Sequence, residues 1–112
     1  MREQPATPFF VTYLPVFLDY LTVEKGLARN SLSSYATDLR RFGFHLADRN
    51  MDLADVDRLQ IVRYFQTLRS AGISARSIAR ALAAIRGMIR FLVGERHLQQ
   101  HPTENLENPN VW

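Results

Sequence analysis

The sequence predicts an all-α protein, a four-helix orthogonal bundle, on three observations. Prolines stand only at 5, 8, 15, 102 and 109, which leaves the interior from 16 to 101 without one. Apolar residues through that interior recur at steps of three and four, the spacing of one helix face, and no alternating strand pattern competes. Short polar or glycine-containing turns separate the periodic stretches, so the helices must pack on each other. The length, 112 residues with 46% apolar, suits one domain with its own core.

The elements follow in order. The first helix is expected over about Tyr13–Lys25, with Pro15 in its first turn, Gly26 as its stop and Leu14, Phe17, Leu18 and Leu21 as its stripe. The second is expected over Ser31–Asp48, capped by Asn30 or Ser31, with Leu32, Tyr35, Leu39, Phe42 and Leu46 inward. The third runs Arg58–Ala71. Asp57 caps it, and Gln60 three residues on completes a capping box; Ile61, Phe65 and Leu68 face inward with Tyr64 beside them, and Gly72 is the stop. The fourth runs from Ala75 to about Leu98, capped by Ser74. Ile73 and Ile78 take the two staple positions, and Ile78, Leu82, Ile85, Ile89 and Leu92 form the core stripe. The domain reading is an N-terminal extension at 1–12, a helical domain at 13–98 and an extended linker at 99–112 with two X-Pro steps, His101-Pro102 and Asn108-Pro109.

Charge is concentrated. Residues 58–98 hold eight arginines and one acid, Glu95, a local charge of +7 inside a chain of net charge +3. Such a region attracts polyanions. At about 100° per residue, the side of the fourth helix opposite Ile85 carries Arg76, Ala79, Arg80, Ala83, Gly87 and Arg90, with Arg86 at its edge. Small residues let a backbone come close to a surface while the arginines reach phosphates or base edges. Arg76, Ser77 and Arg80 lie in the first two turns, where helix N–H groups also receive phosphate. The second helix turns Ser33, Ser34, Thr37, Arg40, Arg41 and Phe44 outward, a set that suits phosphate and base-edge contacts. The plainer reading of both faces is a solvated cationic surface, and the serines by themselves also suit a helix start. The scarcity of acids on the fourth helix favours double-stranded DNA. Phe44 and Phe91 stand on or near polar sides.

Other chemistry is scarce. The chain has no cysteine, so disulfides and thiolate metal sites are excluded. The five glycines are scattered and form no phosphate loop. His97 and His101 have metal-compatible spacing but no further ligand, and Asp52, Asp55 and Asp57 line a turn without the Glu that a calcium loop needs. No metal or cofactor and no catalytic residue is expected. No apolar run approaches the roughly 20 residues that cross a bilayer, and Met1-Arg2-Glu3-Gln4-Pro5 does not read as a secretory signal, so no membrane partner and a cytoplasmic location are expected.

The ordered set Phe17-Leu18-x-x-Leu21-x-x-Glu24-Lys25-Gly26-Leu27, Asn30-Ser31-Leu32-x-x-Tyr35-x-x-Asp38-Leu39-x-x-Phe42 and Gly72-x-Ser74-Ala75-x-Ser77-Ile78-x-Arg80-x-Leu82-Ala83-Ala84-Ile85-Arg86, then Phe91-Leu92, resembles the N-terminal core-binding domain of tyrosine recombinases, the phage integrases and especially the bacterial Xer type. His101-Pro102-Thr103-x-x-Leu106-x-x-Pro109 resembles the family's stretch before its catalytic domain, with His where Asn is commoner; Ser31 stands where Thr is preferred. The resemblance covers about residues 14–110. It implies a SAM-like four-helix fold forming half of a DNA clamp, with the second and fourth helices at the major groove of a recombination half-site. Carried over by position, Ser33, Ser34, Thr37 and Arg40 match contact positions of the second helix, and Arg76, Ser77 and Arg80 those of the fourth. It also implies other protomers of a tetrameric synapse as partners of the first helix, with Tyr13, Phe17 and Tyr20 as candidates. The family's catalytic tyrosine, arginines, lysine and histidine belong to a second domain, so this stretch is expected to bind DNA without catalysis while its parent breaks and rejoins DNA strands. Two other readings of the residues are a helical protein-interaction module and a small helix-turn-helix regulator, for which the Gly72-Ile73 turn suits but the fourth helix is long.

Overall fold

The structure, a computed structural model, describes residues 8–98. Four helices follow in order: α1 Pro8–Val23, α2 Arg29–Asp48, α3 Arg58–Ser70 and α4 Ala75–Gly94, with one 3₁₀ turn at Leu53–Asp55. No strand occurs among the described residues. The all-α class is as expected. The chain packs as two compact units, one through Asp55 holding α1, α2 and the 3₁₀ turn, the other from Val56 holding α3 and α4.

In the first unit, α1 begins at Pro8 rather than near Tyr13. Proline is favoured at a first helical position because its missing N–H is one that a helix start leaves unbonded anyway. The Phe10 N–H, one of those first-turn donors, is accepted by Asp52 Oδ1 at 3.3 Å. Pro15 therefore lies inside the helix and not in its first turn. An interior proline removes the donor due to the Val11 carbonyl and costs about 3 kcal/mol. The helix survives because Phe10, Leu14, Phe17 and Leu21, spaced by four, three and four, are all buried. Leu18 is half-buried. Phe10 meets Phe42 edge-on at 6.4 Å between ring centres, an arrangement favoured by the ring quadrupoles. After α1 ends at Val23, Gly26 adopts φ +61°, which a glycine takes without a Cβ penalty, and the Leu27 N–H returns to the Leu21 carbonyl at 3.0 Å.

α2 starts at Arg29, two residues before its expected start, and neither Asn30 nor Ser31 caps it. Ala28 is the N-cap and makes no side-chain cap bond; the Leu32 N–H donates to the Ala28 carbonyl at 2.9 Å. Leu27 and Leu32, both half-buried, hold the two staple positions around that cap. The helix thus starts without the side-chain cap that was expected. Leu39, Phe42 and Leu46 are buried as expected, joined by Ala36, Gly43 and one acid, Asp38; Leu32 and Tyr35 are only half-buried. Asn50 in the left-handed region (φ 53°) ends the helix, with the Asn50 N–H on the Ala47 carbonyl and the Met51 N–H on the Leu46 carbonyl. Asp52 then does two jobs. Its Oδ1 accepts from the Leu53 N–H at 2.8 Å as well as from Phe10, while its own N–H donates to Asp55 Oδ2 at 3.1 Å.

The second unit follows its sequence signals closely. Asp57 Oδ1 accepts from the Gln60 N–H at 3.0 Å, and Gln60 Oε1 accepts from the Asp57 N–H at 2.9 Å, a complete capping box. Ile61, Tyr64, Phe65 and Leu68 are buried on α3. Gly72 at φ +86° closes it, with the Gly72 N–H on the Arg69 carbonyl and the Ile73 N–H on the Leu68 carbonyl. Ser74 caps α4 by accepting from the Ser77 N–H at 3.2 Å. The α4 stripe Ile78, Leu82, Ile85, Ile89 and Leu92 is buried throughout, with Ala81, Ala84 and Met88 beside it.

α4 stops at Gly94, four residues short of Leu98. The apolar period explains this. The next stripe position after Leu92 falls on Arg96, which would lie in line with Ile78, Ile85 and Ile89 if the helix went on. Instead Arg96 turns left-handed (φ 64°), and the His97 N–H returns to the Leu92 carbonyl at 2.8 Å. The expected linker from Gln99, with His101, lies outside the described residues.

Candidate nucleic-acid interface

The two faces lie one in each unit, on α2 and on α4. On α4, Arg76, Ala79, Arg80, Ala83 and Arg90 are exposed, while Ser77, Arg86 and Gly87 are half-buried. The helix contains no acidic residue; Glu95 is its C-cap. Four arginines on a helix without a carboxylate differ from an ordinary solvated surface, which mixes both signs. The start of this helix is preorganised. The Ser74 hydroxyl donates to Ser77 Oγ at 3.1 Å while its oxygen accepts from the Ser77 N–H. That leaves Ser77 its own hydroxyl hydrogen for an outside acceptor. The Ile78 N–H is taken by the Ser74 carbonyl at 2.9 Å, so the Ala75 and Arg76 N–H groups are those a helix start offers to an anion.

On α2, Ser33, Thr37, Arg40 and Arg41 are exposed and Ser34 is half-buried. The Thr37 hydroxyl donates to the Ser33 carbonyl at 3.0 Å, so toward a ligand its oxygen acts as an acceptor. The one acid among these turns, Asp38, is buried and leaves the exposed side to the arginines. Phe44 and Phe91, expected as outward aromatics, are each half-buried.

Sequence reasoning overlooked the pair His45 and Arg49 near the end of α2. Ser33, Thr37, Arg41, His45 and Arg49 stand at successive fourth positions, so one slanting row joins the hydroxyls to two further nitrogen bases. Arg49 Nη1 lies 3.1 Å from His45 Nδ1 and 3.5 Å from the His45 carbonyl oxygen. The His45 ring stacks near-parallel on Phe42 at 6.5 Å. Burial, and then the Arg49 guanidinium, hold the His45 pKa below the usual histidine value, with Asp48 pulling the other way. The i, i+4 spacing of His45 and Arg49 was the available signal.

Of the first-helix candidates for a protomer contact, Phe17 is buried and so unsuited to that role; Tyr13 and Tyr20 are half-buried. Tyr20 stacks on Phe17 at 6.2 Å and carries the Lys25 ammonium 5.8 Å from its ring centre. Among the described residues, the exposed large apolar side chains of α1 are Val11, Val16 and Val23. The Asp52, Asp55 and Asp57 carboxylates are spent on backbone N–H groups. Among the described residues no cluster of three or more His, Asp or Glu is arranged to hold a metal, and no helix is long and apolar enough to cross a membrane.

Residues 14–96 match the family model described as phage integrase, N-terminal SAM-like domain. The chain belongs to that family. This Xer-like integrase domain is 36% identical over 99 residues to the tyrosine recombinase XerC of Herpetosiphon aurantiacus, covering 88% of this chain and 32% of that protein. It is 45% identical over 87 residues to the tyrosine recombinase XerD of Mycobacterium tuberculosis, covering 70% of this chain and 28% of that protein. With the XerD of Chlorobaculum tepidum the identity is 35% over 110 residues, 98% of this chain and 35% of the relative. The integrase domain given by this sequence therefore spans well under half of the length of each of these recombinases. No solved structure matches the chain.

Proposed function

We propose that this integrase N-terminal domain is the double-stranded-DNA-binding module of a site-specific tyrosine recombinase. It grips a recombination half-site through the exposed faces of α2 and α4, and a catalytic domain of the same parent breaks and rejoins the strands. The observation that carries the reading is the acid-free, arginine-rich face of α4. In this reading Arg76, Ser77, Arg80, Arg86 and Arg90 act from α4, and Ser33, Ser34, Thr37, Arg40 and Arg41 from α2. The arginines take phosphates and guanine edges, the hydroxyls take phosphate oxygens, and Ala79 and Ala83 allow close approach. Other recombinase protomers in a tetramer meet the exposed side of α1. The domain architecture supported by this reading is a helical module ahead of a linker at 99–112.

Salt titration tests the reading. Log affinity for a duplex should fall linearly with log salt, by roughly 0.9 per phosphate neutralised. Arg76→Ala with Arg80→Ala should weaken binding by about 10-fold or more, on the order of 1–3 kcal/mol for each lost contact, whereas Arg2→Ala should leave it unchanged. Binding indifferent to salt, or equal losses from the two variants, points instead to a protein-interaction module.

A further inference from the structure

The row on α2 ends in an arrangement that depends on one proton. A guanidinium has only donors, so the Arg49 Nη1 contact at 3.1 Å requires a lone pair on His45 Nδ1. The neutral ring therefore carries its proton on Nε2. If Nδ1 gains a proton, both partners become donors of like charge and the contact cannot persist. Arg49 is exposed, and its remaining contact, from Nη1 to the His45 carbonyl oxygen at 3.5 Å, is long and weak enough for the guanidinium to swing into solvent. Arg41, His45 and Arg49 then form three successive cations at fourth positions, an arrangement that repels unless an anion sits beside it. The ring lies near-parallel to Phe42, with 14° between the planes and 6.5 Å between ring centres. The charged groups that bear on His45 are Arg49, which opposes its protonation, and Asp48, which favours it.

We propose that His45 and Arg49 form a proton-operated catch at the edge of the α2 face. Neutral His45 holds the Arg49 guanidinium, while protonated His45 releases it, and the pair then presents two cations to a nucleic-acid phosphate. The proposal rests on the DNA-binding reading for its ligand but not for the catch itself. Proton uptake and phosphate binding are coupled reciprocally: each makes the other more favourable. In the free protein the neutral form dominates near neutrality, and binding is accompanied by proton uptake.

Two measurements on the full 112-residue chain test this. The first is the NMR titration of the His45 ring without DNA. The midpoint should lie below that of an ordinary histidine, and Arg49→Ala should raise it, because the guanidinium is one of the two groups that depress it. A midpoint indifferent to Arg49→Ala overturns the catch. The second is duplex affinity by fluorescence anisotropy, with a mixed-sequence duplex, between pH 8 and pH 5.5, within the range where circular dichroism reports a folded chain. Wild type should gain up to about 10-fold as pH falls, one unit of pKa change on binding being a factor of ten. Its salt slope should steepen by up to about 0.9 for the added phosphate contact. His45→Gln and Arg49→Ala should each remove most of that gain, measured against each variant's own affinity at pH 8. An undiminished gain in His45→Gln overturns the proposal. If the ring titration behaves as described but no duplex binds at any pH, the DNA-binding reading fails and takes the phosphate arm with it.

Discussion

The two units hold themselves together by different means. The unit of α3 and α4 uses devices confined to neighbouring residues: the Asp57–Gln60 capping box, the Ser74 cap and the Gly72 stop each close within a few positions. Its α4 core is mostly aliphatic, with Ile78, Leu82, Ile85, Ile89 and Leu92 in one stripe. The unit of α1 and α2 leans on aromatic rings from both of its helices and on contacts between distant residues, whereas the other unit's buried rings, Tyr64 and Phe65, are confined to α3. Phe10, Phe17 and Phe42 are buried there, and Asp52 serves a helix start 42 positions earlier in the chain. The difference teaches that helices of equal regularity rest on information of unequal range. It also separates the charges, since the locally determined unit contains the acid-free arginine helix.

The comparison can be broken most forcefully in the cores. Phe42→Ala should cost about 3–5 kcal/mol and Ile85→Ala about 2–5 kcal/mol, read by chemical denaturation, with the aromatic loss the larger. A Phe42→Ala cost below that of Ile85→Ala would undo the claim that rings carry the first unit. Next in size is the long-range carboxylate. Asp52→Ala removes the acceptor of both the Phe10 and Leu53 N–H groups and should cost about 1–2 kcal/mol. Its amide-exchange signature should appear in the first turn of α1, far from the substitution in sequence. Asp57→Ala should cost about 1 kcal/mol and loosen only the start of α3. If both leave α1 protection untouched, the contrast of ranges is wrong. The smallest effect is a gain. Arg96 holds a left-handed backbone that glycine accepts freely, so Arg96→Gly should stabilise by up to about 1 kcal/mol in the same denaturation assay.

That contrast also sets what could be read before any coordinates. The second unit's signals are short in range, so both its caps, the Gly72 stop and its inward stripes stood in the sequence as they stand in the structure. The start of α1 did not, because it depends on Pro8 and on a carboxylate at Asp52 that no local window contains. The start of α2 was misread because Asn30 and Ser31 are good caps by type, whereas the helix begins behind Ala28, which has no side-chain cap to signal it. The end of α4 was legible in principle, since carrying the apolar period one turn further brings it to Arg96. For the interface, periodicity assigned exposed sides correctly at Arg76, Arg80, Arg90, Ser33, Thr37, Arg40 and Arg41. Phe44 and Phe91, placed on or near polar sides, are half-buried, and Phe17 lies in the core where its stripe position put it, which does not suit the protomer contact that the resemblance implied. The His45–Arg49 pair escaped notice because both residues lie beyond the stretch that the arginine count had picked out.

The Asp52 carboxylate has one more implication, for the order of events on the ribosome. A chain emerging at about 5–20 residues per second exposes Phe10 seconds before Asp52 has been translated. Through that interval the nascent first helix, already burdened by an internal proline, lacks the acceptor that completes its opening turn. The α1 segment, made before Asp52, should therefore be among the later ones to settle.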